Sequence, residues 1–281
     1  MTYTILEKEE LAPEIYLLKL YAPEVANKSE PGQFIIIRID ESGERIPLTI
    51  ADYNRDAGII TVVFMEIGKT TKQLAALKSG DSLSDVVGPL GNPAHIPENS
   101  VVLFVGGGVG VTTVYPEARE FKKAGNTIIS IIGARSENLL IWEDRVRSVS
   151  DELYITTDDG TKGHHGFVTD VLTDILRERS VDLVVAIGPV VMMRAVAGVT
   201  KPFGVKTIVS LNPVMVDGTG MCGSCRVLVG GETKFTCVDG PEFDAHQVDF
   251  TLLMSRLAAY RDEEAASLEK FMHEHDGDEK C

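Results

Sequence analysis

Residues 101–125 read V-V-L-F-V-G-G-G-V-G-V-T-T-V-Y-P-E-A-R-E-F-K-K-A-G, and the reading of this stretch decides the fold. Val101–Val105 is a continuous apolar run of strand length, the pattern of a strand buried on both faces. Gly106, Gly107, Gly108 and Gly110 follow. Thr112–Ala124 then reads as a helix, with Pro116 near its first turn and Gly125-Asn126 as its stop. A glycine loop between a buried strand and a helix aims backbone N–H groups and the positive helix end at one point, which suits a pyrophosphate. The spacing is not the usual dinucleotide fingerprint. Counted from Gly106, the third glycine position is Val111; counted from Gly108, it is Thr113. A tight strand-to-helix turn would use the same glycines. The position after the first strand of an α/β unit favours the nucleotide.

Downstream, apolar strands are expected at Thr127–Gly133, Leu153–Thr157, Leu183–Ile187 and Thr207–Leu211, with helical stretches between them. Alternating buried strands and helices over residues 99–210 predict a doubly wound α/β domain on a parallel sheet. Two more loops reach the same crevice. Asp158 and Asp159 follow one strand and offer acceptors to a ribose or carboxamide, or else cap a surface turn. Gly188 follows another strand. After the second strand come Arg135, Ser136 and Glu137: the first two suit a phosphate and the third repels one, so NAD and NADP are not separated here. His164 and His165 lack a third ligand at useful spacing and read as loop residues. Trp142 reads as packing.

Upstream, residues 1–98 change character. Tyr3–Lys8, Ile15–Tyr21, Gln33–Ile39, Ile46–Ala51, Ile59–Glu66 and Ser82–Val87 are short, β-rich and bounded by turn residues, and only Thr70–Leu77 looks helical. This predicts a small antiparallel β-barrel. Arg45, Pro47, Leu48, Thr49 and Ile50 place a cation, a rigid turn and a hydroxyl together. Gly68, Thr70 and Thr71 open the helix, where orphan N–H groups and hydroxyls suit phosphate. Singly each motif is a surface turn. Together they can grip both ends of a dinucleotide, with Leu48–Ile50 against a flat ring.

Residues 211–250 hold three of the four cysteines. Asp217, Cys222, Cys225 and Cys237 follow D-x4-C-x2-C…C, the plant-type [2Fe–2S] spacing with an oxygen donor in the first place. Gly218, Gly220 and Gly223 permit the backbone such a loop needs. A zinc site of three cysteines and one aspartate has similar spacing, although zinc favours Cys and Cys/His sets. A Cys222–Cys225 disulfide fits poorly with an odd cysteine and no secretory context. Residues 251–281 read as a helix and an acidic tail. His275 to Cys281 is expected to fray, with Cys281 a free thiol.

The net charge of −15 across 281 residues argues against nucleic acid and anionic membrane as partners. The first ten residues lack a signal-peptide pattern and no apolar run spans a bilayer, so a cytoplasmic, reducing location is expected.

The order of motifs resembles the ferredoxin–NADP⁺ reductase superfamily: R-x-P-L-T at Arg45–Thr49, G-x-x-T at Gly68–Thr71, the glycine loop, then G-P-x-x-M at Gly188–Met192. The cluster loop narrows this to the branch with the dihydroorotate dehydrogenase B electron-transfer subunit. Ile187 and Asp217, where cysteines are usual, are more similar to the small subunit of NADH-dependent ferredoxin:NADP⁺ oxidoreductases. The resemblance implies FAD on Arg45, Pro47, Leu48, Thr49, Gly68, Thr70 and Thr71, and NAD(H) on Gly107, Gly108, Gly110, Asp158, Asp159 and Gly188. It also implies a [2Fe–2S] cluster and a larger partner with flavin and [4Fe–4S] clusters, related to the glutamate synthase small subunit, through which ferredoxin is reached. The acidic tail is expected either to dock that partner or to pack on its own domain. The rival readings are the dihydroorotate dehydrogenase subunit, a self-sufficient NADH-dependent reductase, and a zinc-containing nucleotide-binding regulatory module.

Overall fold

The computed structural model describes residues 3–275. Of the end expected to fray, only His275 is described, as the last residue of a helix; the rest, with the free thiol of Cys281, lies outside these residues. The first sheet contains β1 (Tyr3–Ala12), β2 (Ile15–Tyr21), β3 (Phe34–Arg38), β4 (Arg45–Asn54), β5 (Ile59–Met65), β6 (Ser82–Leu83) and β7 (Asp85–Leu90), with short helix α1 (Pro23–Ala26) after β2 and α2 (Lys69–Ala76) after β5. All pairs are antiparallel, in the order β6-β1-β2-β5-β4-β3-β7. The two edge strands of that order are separated in sequence by Ser84 alone, so the sheet curls into a nearly closed barrel. Ile5, Leu18, Leu20, Ile35, Ile50 and Leu74 fill it, the last from α2. Each such side chain contributes about 1.5–3 kcal/mol on burial.

The second sheet takes β8 (Val101–Gly107), β9 (Thr127–Ala134), β10 (Glu152–Thr157), β11 (His164–His165), β12 (Leu183–Ile187) and β13 (Lys206–Ser210) in the order β11-β10-β9-β8-β12-β13, all parallel. Between them run α3 (Val111–Lys123), α4 (Glu143–Val149), α5 (Val168–Glu178) and α6 (Val190–Thr200). Buried runs such as Leu183–Ile187 pack α3 and α4 on one face, and α5 and α6 on the other. Pro116 is not in the first turn of its helix: α3 begins at Val111, so Pro116 lies inside it and leaves the Thr112 carbonyl without its i+4 donor.

The remainder is the hairpin β14 (Arg226–Val229) and β15 (Glu232–Phe235), helix α7 (Thr236–Asp239), strand β16 (Glu242–Asp244), and helices α8 (Phe250–Leu257) and α9 (Arg261–His275). Strand β16 joins the parallel sheet antiparallel to β13, with Ser210 opposite Glu242. Val227, Phe250 and Leu253 pack into the same core. Helix α9 is exposed along most of its length and runs beside α2. No helix among the described residues is long and apolar enough to cross a membrane.

The barrel and the parallel sheet are joined by Ala12, Ile15, Ala51 and Ile141 and by the ion pair of Asp52 on β4 with Arg119 on α3, at 2.8 Å. Trp142 packs edge-on against Tyr115 beneath Arg145.

Candidate functional site

Strand β4 alternates its faces. Leu48 and Ile50 enter the barrel core, while Pro47 and Thr49 face a crevice of about 390 Å³. The expectation that Leu48–Ile50 lay their side chains on a flat ring is therefore corrected for two of the three: with a period of two, only Thr49 points outward. The opposite wall is the glycine loop, Gly107 to Gly110, together with Gly188. Asn212 and Met215, at the start of the cysteine-bearing segment, complete it.

The glycine loop is shaped by close approach. A Cβ on Gly110 would collide with the Ile187 carbonyl and lie 2.8 Å from the Gly188 Cα; one on Gly107 would strike the Met192 sulfur. Gly108 differs: its φ of +54° is left-handed and nothing lies within 4 Å of an added Cβ. Its backbone is thus held open to the crevice.

A second cavity, about 480 Å³, adjoins the first, with Met65, Gly107, Gly108 and Pro189 common to both. Its far end carries Arg135, Asp158 and Phe167. The structure separates the two aspartates. Asp158 lines the cavity. The Asp159 carboxylate turns back to accept from the N–H (3.0 Å) and hydroxyl (2.6 Å) of Thr161, and these bonds hold its carboxyl below the usual value. Ser136 bonds Asn138, and Glu137 takes its N–H to Thr161. His164 and His165 form the edge strand β11, paired with Thr156 and Thr157.

At the start of α2, the Thr71 hydroxyl accepts from the Gly68 N–H at 2.9 Å and donates to the Gly68 carbonyl at 3.0 Å. The Thr70 hydroxyl donates to Glu44. Both hydroxyls are engaged within the chain, Thr71 in its own turn and Thr70 on the Glu44 carboxylate before β4, which leaves backbone N–H groups as the donors at this helix end. Arg45 is exposed at the head of β4.

The cysteine segment rests on the outer face of the barrel. Strand β3 buries both faces: Ile35 and Ile37 go inward, while Phe34 and Ile36 pack with Met215, Cys225 and Cys237. Gly218, at φ +82°, has no room for a Cβ, which would lie 2.7 Å from Leu90 and 2.8 Å from Ile36. Cys225 and Cys237 are buried with their sulfurs 3.2 Å apart. Burial, then the Cys225 thiol, pushes the Cys237 thiol up to about 12. Cys222 is exposed, 3.1 Å from the Ser224 hydroxyl, which lowers its pKa. Asp217 commits Oδ2 to the Thr219 hydroxyl and N–H (3.0 Å) and the Met221 N–H (3.2 Å). The Thr219 bonds hold its carboxyl below the ordinary value, and the Arg45 charge adds to this, which places the barrel cation beside the loop. Among the described residues no three His, Cys, Asp or Glu side chains form a ready-made metal site. The donor set nonetheless fits a thiophilic centre: two adjacent buried sulfurs, a third from the same loop, and an apolar bed. Such thiols are drawn together by the metal itself.

Residues 212–249 match the iron-sulfur cluster binding domain of dihydroorotate dehydrogenase B. Over 268 residues the chain is 48% identical to a dihydroorotate dehydrogenase B (NAD(+)) electron transfer subunit homolog of Thermotoga maritima, covering 95% of each. It is 32% identical to the electron transfer subunit of Fusobacterium nucleatum, over 88% of this chain and 97% of that one. The chain belongs to the dihydroorotate dehydrogenase B electron transfer subunit family. It is also similar to a solved structure of an NADH-dependent reduced ferredoxin-NADP oxidoreductase, studied for flavin-based electron bifurcation, with 47% identity, a TM-score of 0.92, and coverage of 97% and 98%. This member of the electron transfer subunit family has the ferredoxin-reductase fold: barrel, parallel sheet and C-terminal iron–sulfur segment. It is an oxidoreductase electron-transfer protein.

Sequence reasoning missed Asn212 and Met215 in the crevice wall, and Phe167 in the second cavity. Their only signals were nearness to a proline turn and to a helix start. It also missed Glu117, although an acidic residue within the apolar stripe of a helix is a signal in itself: Val114, Ala118 and Phe121 mark the buried face of α3 on which Glu117 lies.

Proposed function

We propose that this chain is the electron-transfer flavoprotein subunit of an electron-bifurcating NADH-dependent ferredoxin:NADP⁺ oxidoreductase of the cytoplasm. The observation that carries this reading is one crevice shared by Pro47 and Thr49 of the barrel, Gly107–Gly110 and Gly188 of the parallel sheet, and Met215 of the cysteine segment. FAD would lie along Pro47 and Thr49, on the backbone of Leu48 and Ile50, and reach Gly68 and the N–H groups of Thr70 and Thr71, with Arg45 at the outer end. NAD(H) would take Gly107, Gly108, Gly110, Asp158 and Gly188, with Asp159 shaping the turn. Cys222, Cys225 and Cys237 would hold a [2Fe–2S] cluster, with Asp217 as fourth ligand through its remaining oxygen. The division we propose is 1–98, 99–210, 211–250 and 251–281. When bound, the flavin exchanges a hydride with the nicotinamide and passes electrons singly to the cluster. The chain's part is to align the groups and keep water out, with Met65 and Pro189 between the two cavities.

The partner in this reading is a larger flavin and [4Fe–4S] subunit related to the glutamate synthase small subunit, with ferredoxin reached through the complex. The exposed face of α9 is its dock; unchanged complex formation after deletion of residues 262–281 sinks that assignment. The main test is an anaerobic visible and electron paramagnetic resonance spectrum before and after NADH. Flavin bleaching with a rhombic reduced [2Fe–2S] signal is expected. A colourless, zinc-containing protein overturns the reading.

The family match at residues 212–249 favours a second reading, the electron transfer subunit of dihydroorotate dehydrogenase B itself. A co-purifying FMN subunit that oxidises dihydroorotate selects it.

A further inference from the structure

Beneath the crevice lie two carboxyl groups that the reading above does not use. Glu117 on α3 is fully buried, and neither of its oxygens meets an N–H or O–H donor. The polar group it faces is the carboxyl of Glu242 on β16, whose Oε1 is also buried without a donor. Two ionised carboxylates cannot share so dry a site, because each would lose its hydration and repel the other. The pair therefore holds at least one proton, in the manner of a carboxyl dyad. Burial raises both groups, Glu117 well above the usual carboxyl range and Glu242 to about 7.

The position of the pair gives this proton a use. Glu117 follows Thr113 by one helical turn, Glu242 follows Pro241 directly, and Ser210 is the cross-strand partner of Glu242. Thr113, Ser210 and Pro241 all line the crevice. On its other side Glu242 lines a separate cavity of about 330 Å³ that opens among His95, Asp182, Lys206 and Asp239. These groups, from the inter-domain linker, the residue before β12, β13 and α7, share that cavity with Glu242, and Glu117 from α3 is the titratable group that acts on it. The pair thus stands between the crevice and a polar outlet.

We propose that Glu117 and Glu242 form the proton acceptor of the crevice, taking up the proton released when a hydride delivered there by a reduced nicotinamide nucleotide is passed on as single electrons. This rests on the functional reading above. The balance is simple. NADH becomes NAD⁺ by giving up a hydride, two electrons and one proton together, so no proton is free at that step. The electrons leave one at a time for the iron–sulfur centre and the oxidant of the partner subunit. Freed as the electrons leave, the proton converts the carboxylate of the pair to a second carboxylic acid, and is then released through the His95–Asp182 cavity.

The test is infrared difference spectroscopy of the flavin- and cluster-loaded full chain, with NADH added anaerobically, followed by reoxidation. In the wild-type protein a carboxylic-acid C=O band should stay flat on NADH addition, grow as the chain is reoxidised, and then decay. It should be absent in Glu242→Gln and in Glu117→Gln. In rapid mixing, both variants should slow reoxidation by about a hundredfold, the lower end of what a positioned acid–base group supplies, and lose its solvent deuterium effect. Glutamine keeps the shape of the site, and the wild-type band needs no variant. Flavin bleaching and reoxidation without any carboxyl band overturns the proton role alone. No bleaching by NADH overturns the functional reading and this inference with it.

Discussion

Two glycine-rich loops flank the crevice, and they need glycine for different reasons. In Gly107–Gly110 the cause is mostly contact, with Gly108 the torsional exception: Gly110 sits against the Ile187 backbone and Gly107 against Met192. In the cysteine loop the cause is mostly torsion. Gly220 and Gly223 have φ of +85° and +69°, while an added Cβ would meet nothing nearer than 3.3 Å and 3.6 Å. The first loop is braced by packing, the second by backbone conformation. A brace of packed backbone fixes distances across the crevice. A torsional loop can still draw its sulfurs together around a metal.

Substitutions separate the two causes. Gly110→Ala should have the largest effect, a loss of about 3 kcal/mol in urea unfolding, because backbone has to move. Gly110→Asn should be no better. A loss below about 1 kcal/mol would break the comparison. Next comes the carboxyl pair that joins the supports of the two loops, Glu117 on the helix after the first and Glu242 on the strand after the second. Its folded-state pKa values are raised, from 4.5 to about 7 for Glu242. The folded chain thus holds these protons more tightly than the unfolded one. The stability that Glu242 contributes is full below pH 4.5 and is lost as pH rises through about 7. Thermal unfolding should show a decline on the order of 3 kcal/mol across that window, and the double variant Glu117→Gln/Glu242→Gln should flatten it.

Gly223→Ala should cost about 1 kcal/mol, and Gly223→Asn clearly less, since asparagine tolerates the left-handed region. Equal losses would show that contact matters here too. The smallest effects concern the neighbouring aspartates. Asp159→Ala should lower the unfolding midpoint slightly, by less than Gly223→Ala does, through its lost turn bonds, and leave NADH affinity nearly unchanged. Asp158→Ala should do the reverse, weakening NADH binding in a titration with little change in unfolding.

Much of this was legible in the chain. The apolar run Val101–Val105 and the loop after it announced a parallel sheet, because burial on both faces leaves no alternation. The strand Leu183–Ile187 was read to the residue. The spacing of Cys222, Cys225 and Cys237 pointed to the segment that the iron–sulfur family matches. Other features were hidden. Strand β16 is three residues long and carries no pattern of its own; it exists because β13 offers an open edge. The different fates of Asp158 and Asp159 depend on Thr161 two residues on. The hydroxyls of Thr70 and Thr71 were available on paper and are engaged in the fold.

By itself, then, the sequence determined the local elements and the kinds of donor: hydrophobic period, turn residues and cysteine spacing are properties of neighbours along the chain. Only the tertiary structure decided which donors share a wall. It set Pro47 and Thr49 opposite Gly107–Gly110, laid Cys225 and Cys237 on Phe34 and Ile36, and buried Glu117 against Glu242, 125 positions along the chain. Those meetings follow from how two sheets and a hairpin bury their apolar faces together, a condition on the whole chain that no short stretch contains.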